Sequence, residues 1–227
     1  MEHIITPLAV INSDYKEKFG IPRQSGLADN ESMIVFEPEF RNPDCLRGIE
    51  RYSHLWLIWL FSEHTDRGWS PTVRPPRLGG NERLGVWATR SPFRPNNLGL
   101  SSVELVRSET HETYGPVLIV RGADLLDRTP IFDIKPYLKD GDSHPDAVGS
   151  LSRGRPDLQV ICPEEYLDPV PKEKRQPLID CLCLDPRPAY HNDPTRVYGM
   201  RYSRFNVRFR IEDMQVIVLD IQEVYDS

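Results

Sequence analysis

The sequence predicts a mainly β chain, a barrel or sandwich of short strands followed by a small α+β unit. Three observations carry this reading. Short apolar stretches recur, each bounded by turn residues, which suits an all-β sandwich or barrel better than a parallel βαβ sheet. The 21 prolines among 227 residues favour many short elements and ordered loops over long helices. Near the C-terminus, "RFNVRFRIED" and "MQVIVLDIQEV" alternate apolar and polar residues about a turn at Asp213, the pattern of a β-hairpin.

In chain order, 4–11 and 33–36 are apolar and partly alternating, and read as two strands separated by the loop "KFGIPRQSGLADN". "PDCLRGIERYS" predicts a turn or two of helix behind Pro43, with Asp44 near its positive end. The run "HLWLIWLF", His54 to Phe61, is continuous and aromatic, as for a strand covered on both faces. "SVELV", "GPVLIVRGADLL" and "PIFDIKPYL" supply further short strands. The polar, glycine-bearing segment 140–155 reads as a linker, dividing the chain into 1–142 and 143–227. Beyond it, "RQPLIDCLCLDPRPAY" predicts a short helix stopped at Asp185 by Pro186. Pro163, Pro169, Pro171 and Pro177 are expected to interrupt helix formation there.

The chain is 39% hydrophobic and 27% charged, with a formal net charge of -6. Bulk charge therefore gives no general attraction to nucleic acid, and any polyanion site must be local. The four cysteines form no C-x-x-C or Cys/His ligand spacing, which predicts reduced thiols and no metal centre. Neither a secretory leader nor an apolar run of roughly 18 residues is visible, so a soluble cytoplasmic protein is expected. The P-loop, the G-x-G-x-x-G turn, the G-x-S-x-G elbow and the H-E-x-x-H pair are also absent.

Against the acidic background, Arg67 to Arg94 holds six arginines, no lysine and a single acid, Glu82. The planar fork of arginine suits bidentate recognition of phosphate or carboxylate, although these side chains could equally pair with the chain's own acids. Within the stretch, Gly79-Gly80-Asn81 is a hairpin signal. In "SPFRPNNLGLS" two prolines stiffen the backbone around Arg94, and Asn96 and Asn97 offer amides from a rigid loop. "DLLDRTPIFDIKPYL" brings Asp124, Asp127, Asp133, Lys135 and Tyr137 to another proline-stiffened turn, and Glu63 and His64 follow the aromatic strand.

In "YKEKFGIPRQSGL", "FSEHTDRGW", "PTVRPPRLGGNERLGVWATRSPFRPNNLGLS", "DLLDRTPIFDIKPYL" and "DPRPAY", taken in this order, the chain resembles the TsaA-like (YaeB-like) family of TrmO-type tRNA methyltransferases. The resemblance implies a single-sheet β-barrel that binds S-adenosylmethionine without a Rossmann sheet, usually as a homodimer. The implied activity is methylation of the N6 amine of threonylcarbamoyladenosine next to the tRNA anticodon, at position 37. Carried over block by block, the implied cofactor contacts are Pro22, Arg23, Gln24, Ser62, Glu63, Arg90, Leu100, Asp127, Arg128, Thr129 and Pro130. For the tRNA loop, Arg74, Arg77, Arg94, Asn96, Arg187 and Tyr190 could supply charge, amides and a stacking surface. Asp133, Tyr137 and Asn96 are candidate proton acceptors, and no base is assigned. There are two departures: the family commonly has glycine where this chain has Arg128, a position that would be strained if left-handed, and the interval 140–185 diverges from the family. The alternative is a non-catalytic cofactor-sensing or RNA-binding module on the same barrel.

Overall fold

The computed structural model describes residues 3–75, 82–149, 157–188, 191 and 193–224. Its first ten elements are β1 (Ala9–Asn12), β2 (Glu31–Phe36), β3 (His54–Leu60), β4 (Thr72–Val73), β5 (Leu84–Gly85), β6 (Leu98–His111), β7 (Gly115–Arg121), β8 (Pro130–Pro136), α1 (Lys139–Asp142) and β9 (Gln159–Ile161). Then come α2 (Glu164–Leu167), α3 (Lys172–Cys183), β10 (Tyr198–Tyr202), β11 (Phe205–Glu212) and β12 (Gln215–Glu223).

Six strands pair antiparallel in the cyclic order β1-β2-β7-β6-β3-β8, β8 returning to β1 through Ala9 and Val10. Their inward side chains, among them Ile11, Ile34, Leu55, Leu57, Val103, Leu118, Val120 and Ile131, form one core. The run at His54–Leu60 is not covered on both faces. Leu55, Leu57 and Trp59 are buried, whereas Trp56, Ile58 and Leu60 are only half-buried, because in a curved strand ring one face points in and the other points out. A bulge opposite Ile58/Trp59 shifts the β3–β8 register there and re-aims the strand end, a common device beside sites. "PDCLRGIERYS" forms two 3-10 turns, Pro43–Leu46 and Ile49–Arg51, with Asn42 accepting from the Asp44 N–H at the start of the first. Gly48, at φ 87, separates them and prevents their joining into one helix. The Gly79-Gly80-Asn81 signal lies outside the described residues.

A second sheet has the order β10-β11-β12-β9, with β9 parallel to β12. Phe205, Val207, Phe209 and Ile211 alternate onto its buried face and pack with Leu178, Cys181 and Leu182 of α3. The hairpin turn is the expected one: Asp213 and Met214 both have positive φ, 45 and 64, as a two-residue turn matched to strand twist requires. The prolines act differently from the expectation. Pro163 and Pro171 precede the first residues of α2 and α3, and Pro177 sits buried inside α3. An internal proline costs a helix about 3 kcal/mol; here burial of Pro177, Leu178, Cys181 and Leu182 on one face offsets it.

The β1–β2 loop belongs to both regions. Tyr15 and Ala28 are buried in the second core. Tyr15 shares a hydrogen bond with Cys181 Sγ at 3.6 Å, Lys174 Nζ reaches Asp14 at 2.6 Å, and the Arg201 N–H donates to Glu17 at 2.8 Å. Burial pushes the Tyr15 phenol up and the Cys181 thiol up to about 12, so neither ionises near neutrality. Gly20, at φ 91, lies where a Cβ would overlap Met200 Sδ, so only glycine lets the loop approach β10 this closely.

Arg128 is left-handed, at φ 65. Its N–H donates to Ile11 O at 2.8 Å and its guanidinium to Asn12 at 3.2 Å, which holds the turn despite a cost of about 1–2 kcal/mol for a non-glycine residue. Arg128→Gly is therefore expected to stabilise the protein by about 1 kcal/mol, read as a higher midpoint in urea unfolding.

Candidate functional site

Four connections meet at one rim of the strand ring around a cavity of about 460 Å³. The β1–β2 loop supplies Lys18 and Ile21 to Gln24, the end of β3 supplies Trp59 to His64, and the loop into β6 supplies Thr89, Arg90, Arg94 and Leu98 to Leu100. The β7–β8 connection adds Asp124, Leu126 and Thr129. The first and last are pinned together by Gly26 N–H donating to Gly122 O at 2.8 Å. The second and third are joined by Phe61 N–H donating to Asn97 O at 2.8 Å.

The floor is apolar. Trp59 and Phe61 lie with ring centroids 4.3 Å apart, and a Cβ on Gly99 would occupy the Trp59 ring. Above this floor runs a polar chain: Trp59 Nε1 donates to Ser101 Oγ at 3.0 Å, and Ser101 Oγ donates to Asp124 Oδ1 at 2.6 Å. Desolvation raises the Asp124 carboxyl, opposed by the Ser101 hydrogen bond and the charge of Arg90. Arg90 in turn donates to Gln24 Oε1 at 2.6 Å. Burial and the nearby cations Lys18 and Arg67 lower the His64 imidazole, and its ring stands edge-on to Phe61 and Phe93. Glu63, exposed at the lip, lies 3.6 Å from Lys18. The cavity thus offers an aromatic face, a half-buried carboxylate and a guanidinium, enough to orient a planar ligand that carries both signs of charge.

Of the expected cofactor contacts, Pro22, Arg23, Gln24, Ser62, Glu63, Arg90, Leu100 and Thr129 line this cavity. Asp127, Arg128 and Pro130 do not. Asp127 is turned away by the Ser13 N–H at 2.9 Å and Lys16 at 2.6 Å, Arg128 by Asn12, and Pro130 is held in the β1–β8 pairing.

The expected RNA contacts separate in the same way. Arg74 and Asn96 are exposed. Arg94 is committed to its own loop: it donates to Thr89 O at 2.7 Å and Val86 O at 3.2 Å, and lies 5.3 Å over the Trp87 ring. Arg187 is half-buried against Asp185 at 3.0 Å. Arg77 and Tyr190 lie outside the described residues. None of the three proposed proton acceptors lines the cavity. Asp133 faces Lys135 at 2.9 Å, and Tyr137 packs on Trp56. Sequence reasoning named Asp124 only as a turn residue, and it missed Trp59, which lines the cavity, and Ser101, which bridges the two. Trp59 and Ser101 sit inside strand-like stretches, and the one polar signal nearby was the aspartate within "GADLLD".

Comparison with known proteins gives a consistent result. The family model described as the tRNA-methyltransferase O N-terminal domain matches residues 10–143, and the TrmO C-terminal domain matches 156–224. A tRNA (adenine(37)-N6)-methyltransferase of Escherichia coli (strain K12) is 42% identical over 91% of this chain and 92% of the relative. A Pseudomonas aeruginosa protein, provisionally named an S-adenosylmethionine-dependent methyltransferase, RcsF, is 38% identical over 97% of this chain and 98% of its own. The crystal structure of TrmO from Pseudomonas aeruginosa superposes with a TM-score of 0.77 at 32% identity, covering 98% of this chain and 100% of that one.

The raised Asp124 carboxyl has a defined sign in stability. Between the unfolded and the higher folded pKa the native state binds the extra proton, so stability falls as pH rises through that window and stays lowered above it. Asp124→Asn keeps an acceptor for Ser101 and removes this cost. The melting temperature of the variant should therefore exceed wild type at pH 8, with the gap closing towards pH 4, as measured by differential scanning calorimetry across that range.

Proposed function

From the premise that the chain belongs to the tRNA-methyltransferase O family over both of its segments, we propose that it methylates the N6 amine of adenine 37 in tRNA, using S-adenosylmethionine. We extend this to a threonylcarbamoylated acceptor, a cytoplasmic location and a homodimer. We assign 1–142 as the cofactor-binding barrel and 143–227 as a contributor to tRNA binding. The observation that carries the reading is the convergence of four separate connections on one cavity of family-matching residues. The non-catalytic alternative is disfavoured, since the relatives that match nearly the whole chain are named as methyltransferases.

The residues suit the cofactor in kind. A cavity of about 460 Å³ falls within the ~300–1,000 Å³ of small-molecule sites. The Trp59 and Phe61 rings and Leu98 offer a face for adenine. Asp124 and Glu63 complement the sulfonium and ammonium charges, and Arg90, steadied by Gln24, complements the carboxylate. Absence of a side chain at Gly99 leaves room for Trp59 to form the floor. When bound, S-adenosylmethionine supplies an electrophilic methyl group.

The chain's own task is to hold the acceptor amine in line, since positioning accounts for much of the barrier reduction in such displacements. An exocyclic adenine amine is weakly nucleophilic and must shed a proton. Asp124, a desolvated carboxylate with raised proton affinity, is assigned as the acceptor in place of Asp133, Tyr137 and Asn96. Ser101 orients it and Arg90 keeps its ionised form accessible. Arg74, exposed outside the cavity, is assigned to a phosphate of the anticodon loop, and so is Arg77.

Incubation with S-adenosylmethionine and threonylcarbamoylated tRNA, followed by nucleoside mass spectrometry, should give a product heavier by one methyl group. An unchanged nucleoside mass with demonstrated cofactor binding would overturn the enzymatic reading. Asp124→Asn should lower kcat about 100-fold. Arg74→Ala should reduce the slope of log affinity against log salt for tRNA by about 1; an unchanged slope would remove Arg74 from the phosphate contacts.

A further inference from the structure

A second cleft, of about 290 Å³, opens on the second sheet between Phe19, Pro188, His191, Arg196, Val197, Tyr198 and Gly199. Its wall is an aromatic array. Phe19 and Tyr198 have ring centroids 6.1 Å apart and planes within 13°, and Phe209 backs both. Arg196 lies 5.4 Å over the Tyr198 ring and 3.3 Å from His191 Nε2. The turn that carries Arg196 is fixed by Thr195, whose N–H and hydroxyl both donate to Asp193.

Two features distinguish this cleft from an ordinary gap in packing. Tyr198 is only 6% exposed, yet its hydroxyl has no hydrogen-bond partner among the described residues, a costly arrangement unless something outside them completes it. The cleft is also tied to the first cavity by one loop: Phe19 lines the former, and Lys18 and Ile21 to Gln24 line the latter. With Gly20 seated against Met200, the loop presents consecutive residues to two different spaces.

We propose that this cleft holds an unstacked nucleobase of the RNA substrate, a nucleotide near the one presented to the first cavity. The base stacks on Phe19, the half-buried ring at the open edge of the array, and reaches the Tyr198 hydroxyl, while Arg196 swings from the Tyr198 ring to the adjoining phosphate. Aromatic faces combined with a guanidinium are the usual means of gripping splayed-out bases of single-stranded RNA. The inference rests on the tRNA-binding reading above. RNA is favoured over a free nucleotide by the shared loop, since a polynucleotide can occupy both spaces at once.

The test uses the full chain and a transcribed anticodon stem-loop, with binding followed by fluorescence anisotropy. Phe19→Ala and Arg196→Ala should each weaken RNA binding about 10-fold or more, Arg196→Ala with a shallower salt slope. Because Phe19 also packs on the second core, the decisive variant is Tyr198→Phe, which removes only the unpartnered hydroxyl. It should leave S-adenosylmethionine affinity unchanged, raise rather than lower thermal stability because an unsatisfied buried hydroxyl is lost, and weaken RNA binding several-fold. RNA affinity equal to wild type in both Tyr198→Phe and Arg196→Ala overturns the proposal. AMP binding as tightly as the stem-loop would instead make the cleft a mononucleotide site and overturn the RNA assignment. A wild type that yields no methylated nucleoside but loses RNA affinity in these variants would defeat the enzymatic reading alone and support the cleft.

Discussion

The approach of Gly20 to Met200 is the constraint on which much else depends. It anchors the β1–β2 loop to the second sheet, and the same loop must then turn back to present Pro22, Arg23 and Gln24 to the cavity. Tyr15 anchors the loop from the other side by inserting into the second core, and Asp14 and Glu17 are bound by Lys174 and the Arg201 N–H. The loop is thereby ordered through contacts with residues far away in sequence. A cavity wall made of loop backbone needs such anchoring, because an unanchored loop would incur its ordering entropy each time a ligand bound.

The arginines show how charge and role come apart. The basic stretch suggested one anion-binding surface, but its members have different tasks. Arg94 ties two carbonyls of its own loop and covers Trp87, and so makes the rigid loop that composition attributed to proline alone. Arg90 faces the cavity and steadies Gln24. Outside the stretch, Arg187 is paired with a nearly buried Asp185. A guanidinium that donates to backbone carbonyls contributes geometry, and its charge is largely absorbed by the dipoles it meets.

Much of the fold was legible because strand alternation and turn chemistry are local signals. The hairpin about Asp213 and the short strands from Leu98 to Pro136 follow directly from residue order. What was not legible depended on long-range contacts. A short helix in "RQPLIDCLCLDPRPAY" was legible, but Pro177 argues against its beginning as early as Lys172 until the face shared with Leu178, Cys181 and Leu182 is seen to be buried. The aromatic run at His54 looks doubly covered until the curvature of the ring leaves Trp56 and Ile58 on its outer side. At the site, eight of the expected cofactor contacts line the cavity, and Asp127, Arg128 and Pro130 do not. Arg128 keeps the left-handed conformation of its turn, the Asp127 carboxylate goes to Ser13 and Lys16, and Asp124, three residues earlier, lines the cavity.

The hydrogen-bonded chain from Trp59 through Ser101 to Asp124 has a further consequence. The hydroxyl proton of Ser101 is committed to the carboxylate, so the indole N–H must donate to the serine oxygen, and the electron density on that oxygen follows the ionisation of Asp124. Trp59 is thus an internal spectroscopic gauge. Its indole proton resonance should move as the carboxylate gains or loses charge, reporting the electrical state of the cavity without any added label.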